Sequence, residues 1–249
     1  MMTQRRDGVL RELGLAPLWK LRVPPAAAAP AGAAELSPAA ATAATDAAPA
    51  DAGRAAAIAV LDWDELRRSV AECRACELCR TRRQAVLGVG DAQADWLFVG
   101  EGPGAEEDEK GEPFVGQACR LLDAMLAAID LQRGKGVYIA NAVKCRPPDN
   151  RTPLPEEISA CRPYLERQIE LLAPRLIVAL GRPAAQALLA REVKIAALRG
   201  SLQDYRGVPL VVSYHPAYLL RTPSDKAKAW EDLCFARATF RQSDQPAAP

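Results

Sequence analysis

The chain of 249 residues contains a single histidine, His215, which excludes a metal site built from several histidines. It has no excess of either charge, with 32 Lys and Arg against 31 Asp and Glu, so only a local basic patch could bind nucleic acid. It has no apolar run of ~18 residues, the length that a membrane-spanning helix needs. The first residues show no secretory signal pattern. We therefore expect a cytoplasmic protein without membrane contact.

Seven cysteines are present, and in a reducing compartment they favour metal ligation or burial over disulfides. Cys73 and Cys76 form a C-x2-C pair, whereas Cys145 and Cys161 lie at the two ends of a second segment. Four such thiolates suit either a zinc ion or an iron–sulfur cluster, and buried free thiols are the alternative. Cys79 stands at the same spacing from Cys76, so the ligand set stays open. Two further cysteines fall in apolar helical patterns, which favours burial: Cys119 and Cys234.

Composition divides the chain into four segments. Residues 1–23 form a short peptide with too few apolar residues for a core. Residues 24–57 are almost entirely Ala, Pro, Gly and small polar residues, which predicts a disordered linker. A folded domain is predicted over 58–241, followed by a disordered tail over 242–249. The N-terminal peptide is then either a frayed extension or a docking peptide for a partner protein.

Four apolar runs predict buried parallel strands, at 96–99, 137–140, 176–180 and 209–213. Helical patterns separate or follow them, at 118–129, 155–172, 183–189 and 224–240. Strands that alternate with helices predict an α/β fold with a parallel sheet covered on both faces. Ligands of such sheets bind at the carboxyl ends of the strands. Polar or glycine residues follow all four predicted strands and should converge on one rim: Gly100 to Gly104, Asn141, Gly181 and His215.

The residues on this rim leave two interpretations open. The glycine-rich segment 100–104 lacks the Gly-Lys-Ser/Thr of a Walker loop, and the acidic run 106–109 suits a phosphate cradle badly. It is either a ligand-binding loop or a strand-ending turn with a solvated acidic tail. His215 and Asn141 could each read a ligand or serve the turn that carries them. Arginines near the predicted loops could bind phosphates or form a solvated face: Arg80, Arg82, Arg83, Arg146, Arg151, Arg199 and Arg221.

Taken together, the motifs resemble those of the family 4 uracil-DNA glycosylases, over about residues 66–240. The segments that carry the resemblance follow the cysteine pair in order: 80–82, 88–90, 99–104, 111–116, 141–148, 180–181 and 215–221. The resemblance implies hydrolysis of the N-glycosidic bond of uracil in single- or double-stranded DNA. It also implies a three-layer α/β/α sandwich with a four-stranded parallel sheet. One four-iron, four-sulfur cluster is expected, held by Cys73, Cys76, Cys145 and Cys161.

The resemblance also assigns roles in a pocket for a flipped base. Phe114 would stack on the uracil ring, and Asn141 would pair with its N3 and O4 edge. His215 would donate a hydrogen bond to O2, which strengthens as the leaving uracil becomes anionic. A neutral imidazole is sufficient for that role.

The first motif departs from the better-known uracil glycosylases. Gly100 and Gly102 would contact the substrate, but Gly102 stands where those enzymes carry a catalytic aspartate. Glu101 is the carboxylate available in its place. Two alternatives are a protein that traps uracil-DNA covalently and a non-catalytic binder. The trap is disfavoured because the segment 146–153 contains no histidine. We expect a nucleoid-associated monomer. If the N-terminal peptide is a docking segment, its partner would be a replication or repair protein.

Overall fold

A computed structural model of the chain describes residues 49–242. The predicted peptide 1–23, the linker as far as residue 48 and the tail from residue 243 lie outside the described residues. A six-stranded sheet forms the centre of the described part. Its strands are β1 (Val89–Gly90), β2 (Trp96–Gly100), β3 (Val137–Asn141), β4 (Leu176–Leu180), β5 (Gln203–Tyr205) and β6 (Val208–Ser213).

The strand order is β1-β3-β2-β4-β6-β5. The four central strands β3, β2, β4 and β6 run parallel and coincide with the four predicted apolar runs. The α/β class is confirmed, but the predicted sheet of four strands is two strands short. The short strands β1 and β5 pair antiparallel along its two edges. Prediction missed them because β1 has two residues, β5 has three, and neither carries an apolar run.

Helices cover both faces of the sheet. They are α1 (Pro49–Ala59), α2 (Trp63–Glu72), α3 (Ala105–Lys110), α4 (Gln117–Ala127), α5 (Pro155–Leu172), α6 (Arg182–Leu189), α7 (Ile195–Leu198), α8 (Pro216–Arg221) and α9 (Lys226–Gln242). Short 3-10 helices span Glu77–Arg80, Pro148–Asn150 and Pro223–Asp225. Within residues 49–242, no helix is long and apolar enough to span a membrane.

The first helix corrects the predicted end of the linker. α1 begins at Pro49, so the boundary predicted at residue 57 falls inside a helix. Proline suits the first position of a helix, because the N–H that it lacks would have no partner there. The alanine-rich stretch that follows favours helix once no further proline interrupts it, and Ile58 at its end is 3% exposed. Asp62 then caps α2, accepting from the backbone N–H of Asp64 and of Glu65.

Alternate strand residues divide the apolar core into two halves, as the two-residue period of a strand requires. In β2, Leu97 and Val99 pack on the side of α1, α2, α5 and α6. Trp96 and Phe98 pack on the other side, against α4, α8 and α9. The result is a three-layer α/β/α sandwich, and it leaves the carboxyl ends of the four parallel strands together at one edge.

Candidate active site

A cavity of about 640 Å³ opens at the carboxyl ends of the parallel strands. Its volume lies in the range of small-molecule sites, roughly 300–1,000 Å³. Residues that follow all four strands line it, as the predicted rim requires. The lining includes Glu101, Gly102, Glu107, Phe114, Asn141, Asn150, Arg151, Thr152, Arg182, Tyr214, His215, Tyr218 and Arg221.

Gly100 allows the two sides of the cavity to approach each other. A Cβ atom added to it would overlap the side-chain oxygen of Asn141 and lie 2.6 Å from Cζ of Phe114. Real Cβ atoms do not tolerate contacts this short, so a larger residue would push the amide and the ring away from their places. Gly102 is also crowded, since its Cβ would lie 2.7 Å from Cγ2 of the buried Val143.

Phe114 lies in the loop between α3 and α4 and is 4% exposed. Its φ of 55° is in the left-handed region, which costs a non-glycine residue roughly 1–2 kcal/mol. The ring lies 5.4 Å from the imidazole of His215, with an angle of 27° between the planes. A flat ring held beside the imidazole offers a stacking surface for a planar ligand.

Two charged side chains hold this loop in place. Arg133 donates to the carbonyl oxygen of Pro113 at 3.2 Å, to that of Phe114 at 3.3 Å, and to Asp123 at 3.0 Å. Glu107 accepts from the backbone N–H of Val115 at 3.0 Å. The left-handed backbone is therefore fixed on both sides of the aromatic residue.

Asn141 ends β3 and is 2% exposed. Among the residues that the structure describes, its side-chain oxygen accepts no hydrogen bond. A buried amide oxygen without a partner costs about 1–3 kcal/mol. This side chain also lines the cavity. The oxygen is therefore an acceptor that a ligand N–H could satisfy.

Lys144 supports Asn141 from behind. This lysine is 1% exposed, which is rare for an ammonium group. Its Nζ donates to the backbone carbonyl of Asn141 at 2.9 Å and to the side-chain oxygen of Gln168. Burial lowers the pKa of Lys144 to about 8. Sequence reasoning missed this residue, although a lysine between Val143 and Cys145 in an apolar segment was a signal.

His215 follows β6 and caps α8. Its Nδ1 accepts from the backbone N–H of Ala217 at 3.2 Å, so the proton of the neutral ring is on Nε2. Burial, and secondarily the charge of Arg221, lower the pKa of His215 from 6.5 to about 4. The side chain is consequently a neutral donor through Nε2 at physiological pH.

Glu101 lines the same cavity between β2 and α3. Desolvation raises its pKa, while a hydrogen bond from Thr152 and the charges of Arg182 and Arg221 act in the opposite direction. The carboxylate thus stands within the influence of two cations and one hydroxyl.

The acidic run 106–109 is not simply a solvated tail. Glu107 accepts from the backbone N–H of Gly104 at 3.0 Å and so caps α3. Asp108 is 1% exposed and accepts from the backbone N–H of Arg83 at 2.9 Å. These carboxylates accept hydrogen bonds from backbone N–H groups at the start of a helix and in a loop. If the run were purely solvated, these N–H groups would have no protein partner.

Four cysteines line a second cavity, between the carboxyl end of α2, the segment that follows β3, and α5. Cys73, Cys76, Cys145 and Cys161 line one small, mainly apolar cavity. The Cys145 sulfur accepts from Arg82 Nη1 at 2.8 Å, and the Cys161 sulfur accepts from the backbone N–H of Lys144 at 3.2 Å. Burial raises the pKa of Cys145 to about 11 and of Cys161 to about 12. Such thiols ionise readily only when a cationic group binds among them.

The other cysteines do not line this cavity. Cys79 faces a separate surface depression beside Arg74 and Arg80. Cys119 is half-buried next to Arg133, and Cys234 is exposed. The burial predicted for Cys234 is therefore wrong, because it falls on the outer side of α9. Within the described part of the chain, no group of three or more Cys, His, Asp or Glu side chains is spaced to hold one metal ion.

The predicted arginine patch does not converge as a whole. Arg151 and Arg221 line the cavity. The others lie elsewhere: Arg80 and Arg83 pair with surface carboxylates, Arg82 binds a thiol, Arg146 binds Asn150, and Arg199 pairs with Asp232. Sequence reasoning missed several cavity residues, because only the fold brings their loops together: Asn150, Thr152, Arg182, Tyr214 and Tyr218.

Comparison with known proteins agrees with this arrangement. Residues 87–234 match the model of the uracil DNA glycosylase superfamily. The chain is 45% identical over 168 residues to a type-4 uracil-DNA glycosylase of Archaeoglobus fulgidus, covering 64% of this chain and 84% of the relative. It is 45% identical to a type-4 enzyme of Thermotoga maritima and 43% identical to one of Pyrobaculum aerophilum. Each alignment covers 70% of this chain and 92% of the relative.

Proposed function

The chain belongs to the uracil DNA glycosylase superfamily, with type-4 enzymes among its relatives, and we infer that it removes uracil from DNA by hydrolysing the N-glycosidic bond. The product is free uracil and an abasic site, which makes the protein a DNA repair enzyme. Because the reacting bond is inaccessible inside a stacked helix, the uracil must rotate into the cavity before it reacts.

The observation that carries this proposal is the unpartnered side-chain oxygen of Asn141. Uracil presents an N–H at N3 beside a carbonyl at O4, which an amide complements with its oxygen and its NH₂ group. Cytosine presents an acceptor at N3 and a donor at C4, and the same amide orientation would reject it. Phe114 lines the same cavity, and its ring supplies the stacking surface.

His215 acts on the leaving group. As the bond between sugar and base stretches, negative charge grows on the uracil and positive charge on the sugar. The Nε2–H of the neutral ring donates to uracil O2, and this hydrogen bond strengthens as the charge grows. Nδ1 is already occupied by Ala217 N–H, so the ring keeps the required tautomer throughout.

Glu101 is the carboxylate placed to assist the water or the sugar cation. Gly102 supplies no carboxylate of its own, and Val143 fills the space that its side chain would need. The raised pKa of Glu101 still leaves a group that two arginines stabilise as an anion. We assign it a secondary role, since the bond breaks largely before water attacks.

The four converging thiols suit a four-iron, four-sulfur cluster. Cys73, Cys76, Cys145 and Cys161 would hold it, with Arg82 and the backbone of Lys144 donating to their sulfurs. Hydrolysis moves no electrons, so the cluster would stabilise the fold or position the DNA.

Arg151, Arg182 and Arg221 would meet DNA phosphates at the mouth of the cavity. We further propose that the enzyme is a monomer at the nucleoid, and that residues 1–23 dock a replication or repair protein.

Incubation with a uracil-containing oligonucleotide tests the proposal. Release of free uracil supports it. A heat-stable adduct would indicate a covalent trap, and a mobility shift without release would indicate a binder. The same oligonucleotide with cytosine in place of uracil is the control and should remain intact.

A further inference from the structure

Two tyrosines form a part of the cavity wall that the uracil-contacting residues do not explain. Tyr214 precedes His215 and Tyr218 follows it by three residues. Both line the cavity and both are partly buried. Their rings stack, with centroids 5.1 Å apart and 23° between the planes.

Tyr214 is held in this stack by an ion pair whose carboxylate is buried. The guanidinium carbon of Arg199 lies 5.0 Å from the centroid of the Tyr214 ring. Arg199 donates to the 1% exposed Asp232 at 2.8 Å, and Asp232 also accepts from the hydroxyl of Ser213 at 2.7 Å. These hydrogen bonds hold the cation against the Tyr214 ring.

Tyr218 is held through its hydroxyl. Tyr218 donates to Asp225 at 2.6 Å, and Asp225 also pairs with Lys228 at 2.9 Å. The polar end of Tyr218 is thus satisfied by the protein, and its ring is left at the cavity. Since the stack is ordered beforehand, a ligand that binds it loses little entropy in ordering these side chains.

We propose that the stack of Tyr214 and Tyr218 is a subsite for the nucleobase next to the target uracil in the same strand. The proposal rests on the function inferred above and adds a second base to it. When uracil rotates out, its neighbour loses a stacking partner, and an aromatic side chain can replace it with little dependence on sequence. The cavity of about 640 Å³ extends from Phe114 to the two tyrosines, and Arg221 also lines it. Arg221 would face the phosphate between the uracil nucleotide and its neighbour.

The test is a double-mutant cycle in which a side chain of the protein and a base of the DNA are removed separately and together. Single-stranded oligonucleotides carry one uracil, flanked either by normal nucleotides or by a stable abasic residue on its 5′ or its 3′ side. KM and single-turnover rates are measured for the parent, Tyr218→Ala, Tyr218→Leu and Tyr218→Phe. Trp230→Ala is the matched control, because Trp230 is 47% exposed and does not line the cavity.

Base–aromatic stacking is worth about 1–3 kcal/mol, so removing the neighbouring base on one side should raise the KM of the parent by about 5- to 150-fold. Trp230→Ala should respond as the parent does. Tyr218→Phe keeps the ring but loses the hydrogen bond to Asp225, so its KM should start above that of the parent and should still rise when the neighbouring base is removed. Tyr218→Ala and Tyr218→Leu should start from a higher KM and respond less than threefold, because the stacking partner is already gone. The leucine keeps bulk at the position, which separates stacking from packing.

The subsite is overturned if removal of the neighbouring base changes KM by the same factor in the parent, in Tyr218→Ala and in Tyr218→Leu, on both the 5′ and the 3′ side of the uracil. That outcome still includes release of uracil by the parent, so it is distinct from a failure of the glycosylase assignment, in which no oligonucleotide yields free base.

Discussion

Replacement of His215 should separate leaving-group stabilisation from helix capping. His215→Ala removes the Nε2–H donor and also leaves the Ala217 N–H without its acceptor. Loss of one such donor typically slows the chemical step by roughly 10²–10³-fold. Loss of an N-cap lowers the free energy of unfolding by about 1 kcal/mol. His215→Asn restores an acceptor for the cap but not the reach of the imidazole. It should therefore recover the stability and not the rate.

The pH dependence of the same step follows from the pKa of His215. Burial lowers this pKa to about 4, so the ring is neutral in the folded enzyme above that pH. The single-turnover rate should therefore show no inflection near pH 6.5. In the unfolded chain the ring has its ordinary pKa of 6.5. Between pH 6.5 and pH 4 the unfolded chain therefore binds a proton that the folded enzyme does not, and this stabilises the unfolded chain as the pH falls. That difference in pKa corresponds to about 3 kcal/mol of stability, present above pH 6.5 and lost toward pH 4.

The assay is single-turnover release of uracil with enzyme in excess, from pH 5 to pH 9, with DNA binding measured in parallel. Glu101→Gln is the companion variant, because the raised pKa of Glu101 can produce an inflection of its own in the acidic range. An inflection near pH 6.5 that disappears in His215→Ala would mean that the imidazolium, and not the neutral ring, is the acting species. A larger loss of rate in Glu101→Gln than in His215→Ala would place water activation above leaving-group stabilisation. Affinity for DNA should be nearly equal in all of these variants.

Three further outcomes are expected. Purified protein should be brown, absorb near 400 nm and contain iron. Cys145→Ser should lose the colour, and Cys79→Ser should keep it. An anaerobic preparation that contains zinc and no iron would contradict the cluster. Asn141→Asp should slow uracil release and admit some cytosine, measured on matched oligonucleotides; an unchanged rate and selectivity would remove this residue from base recognition. Arg133→Met should release the carbonyl of Phe114 and raise KM by about 10-fold, as expected for losing about 1.4 kcal/mol of stacking; a KM equal to that of the parent would show that the loop needs no clamp.

The central sheet could be predicted because its strands are buried on both faces. Runs such as 176–180 are continuously apolar and end at turn residues, so their bounds follow from the sequence itself. The edge strands β1 and β5 have no such pattern, since their pairing is decided by the neighbouring strand. The start of α1 was missed because an alanine- and proline-rich segment has the composition of a linker, and its packing at Ile58 is a tertiary effect.

The site was accessible from the sequence only in part. Asn141 and His215 follow parallel strands, and that topology predicts where they lie. Phe114 sits in a loop without periodicity, so only the resemblance indicated it. Arg133 and Lys144 act through hydrogen bonds to backbone carbonyls, and no spacing rule reveals which carbonyl a long side chain will reach.

The positions of the four converging thiols in the chain have a consequence for folding. Cys76 and Cys145 are separated by a stretch that contains Glu101, Phe114 and Asn141, whereas His215 lies beyond the last thiol, Cys161. A bound cluster would close this stretch into a loop, and closing a loop of roughly 70 residues reduces the entropy of the unfolded chain by the equivalent of about 4 kcal/mol. A bound cluster would thus restrict the unfolded conformations of the base-recognising segment, whereas the segment that carries the histidine would remain outside the closed loop.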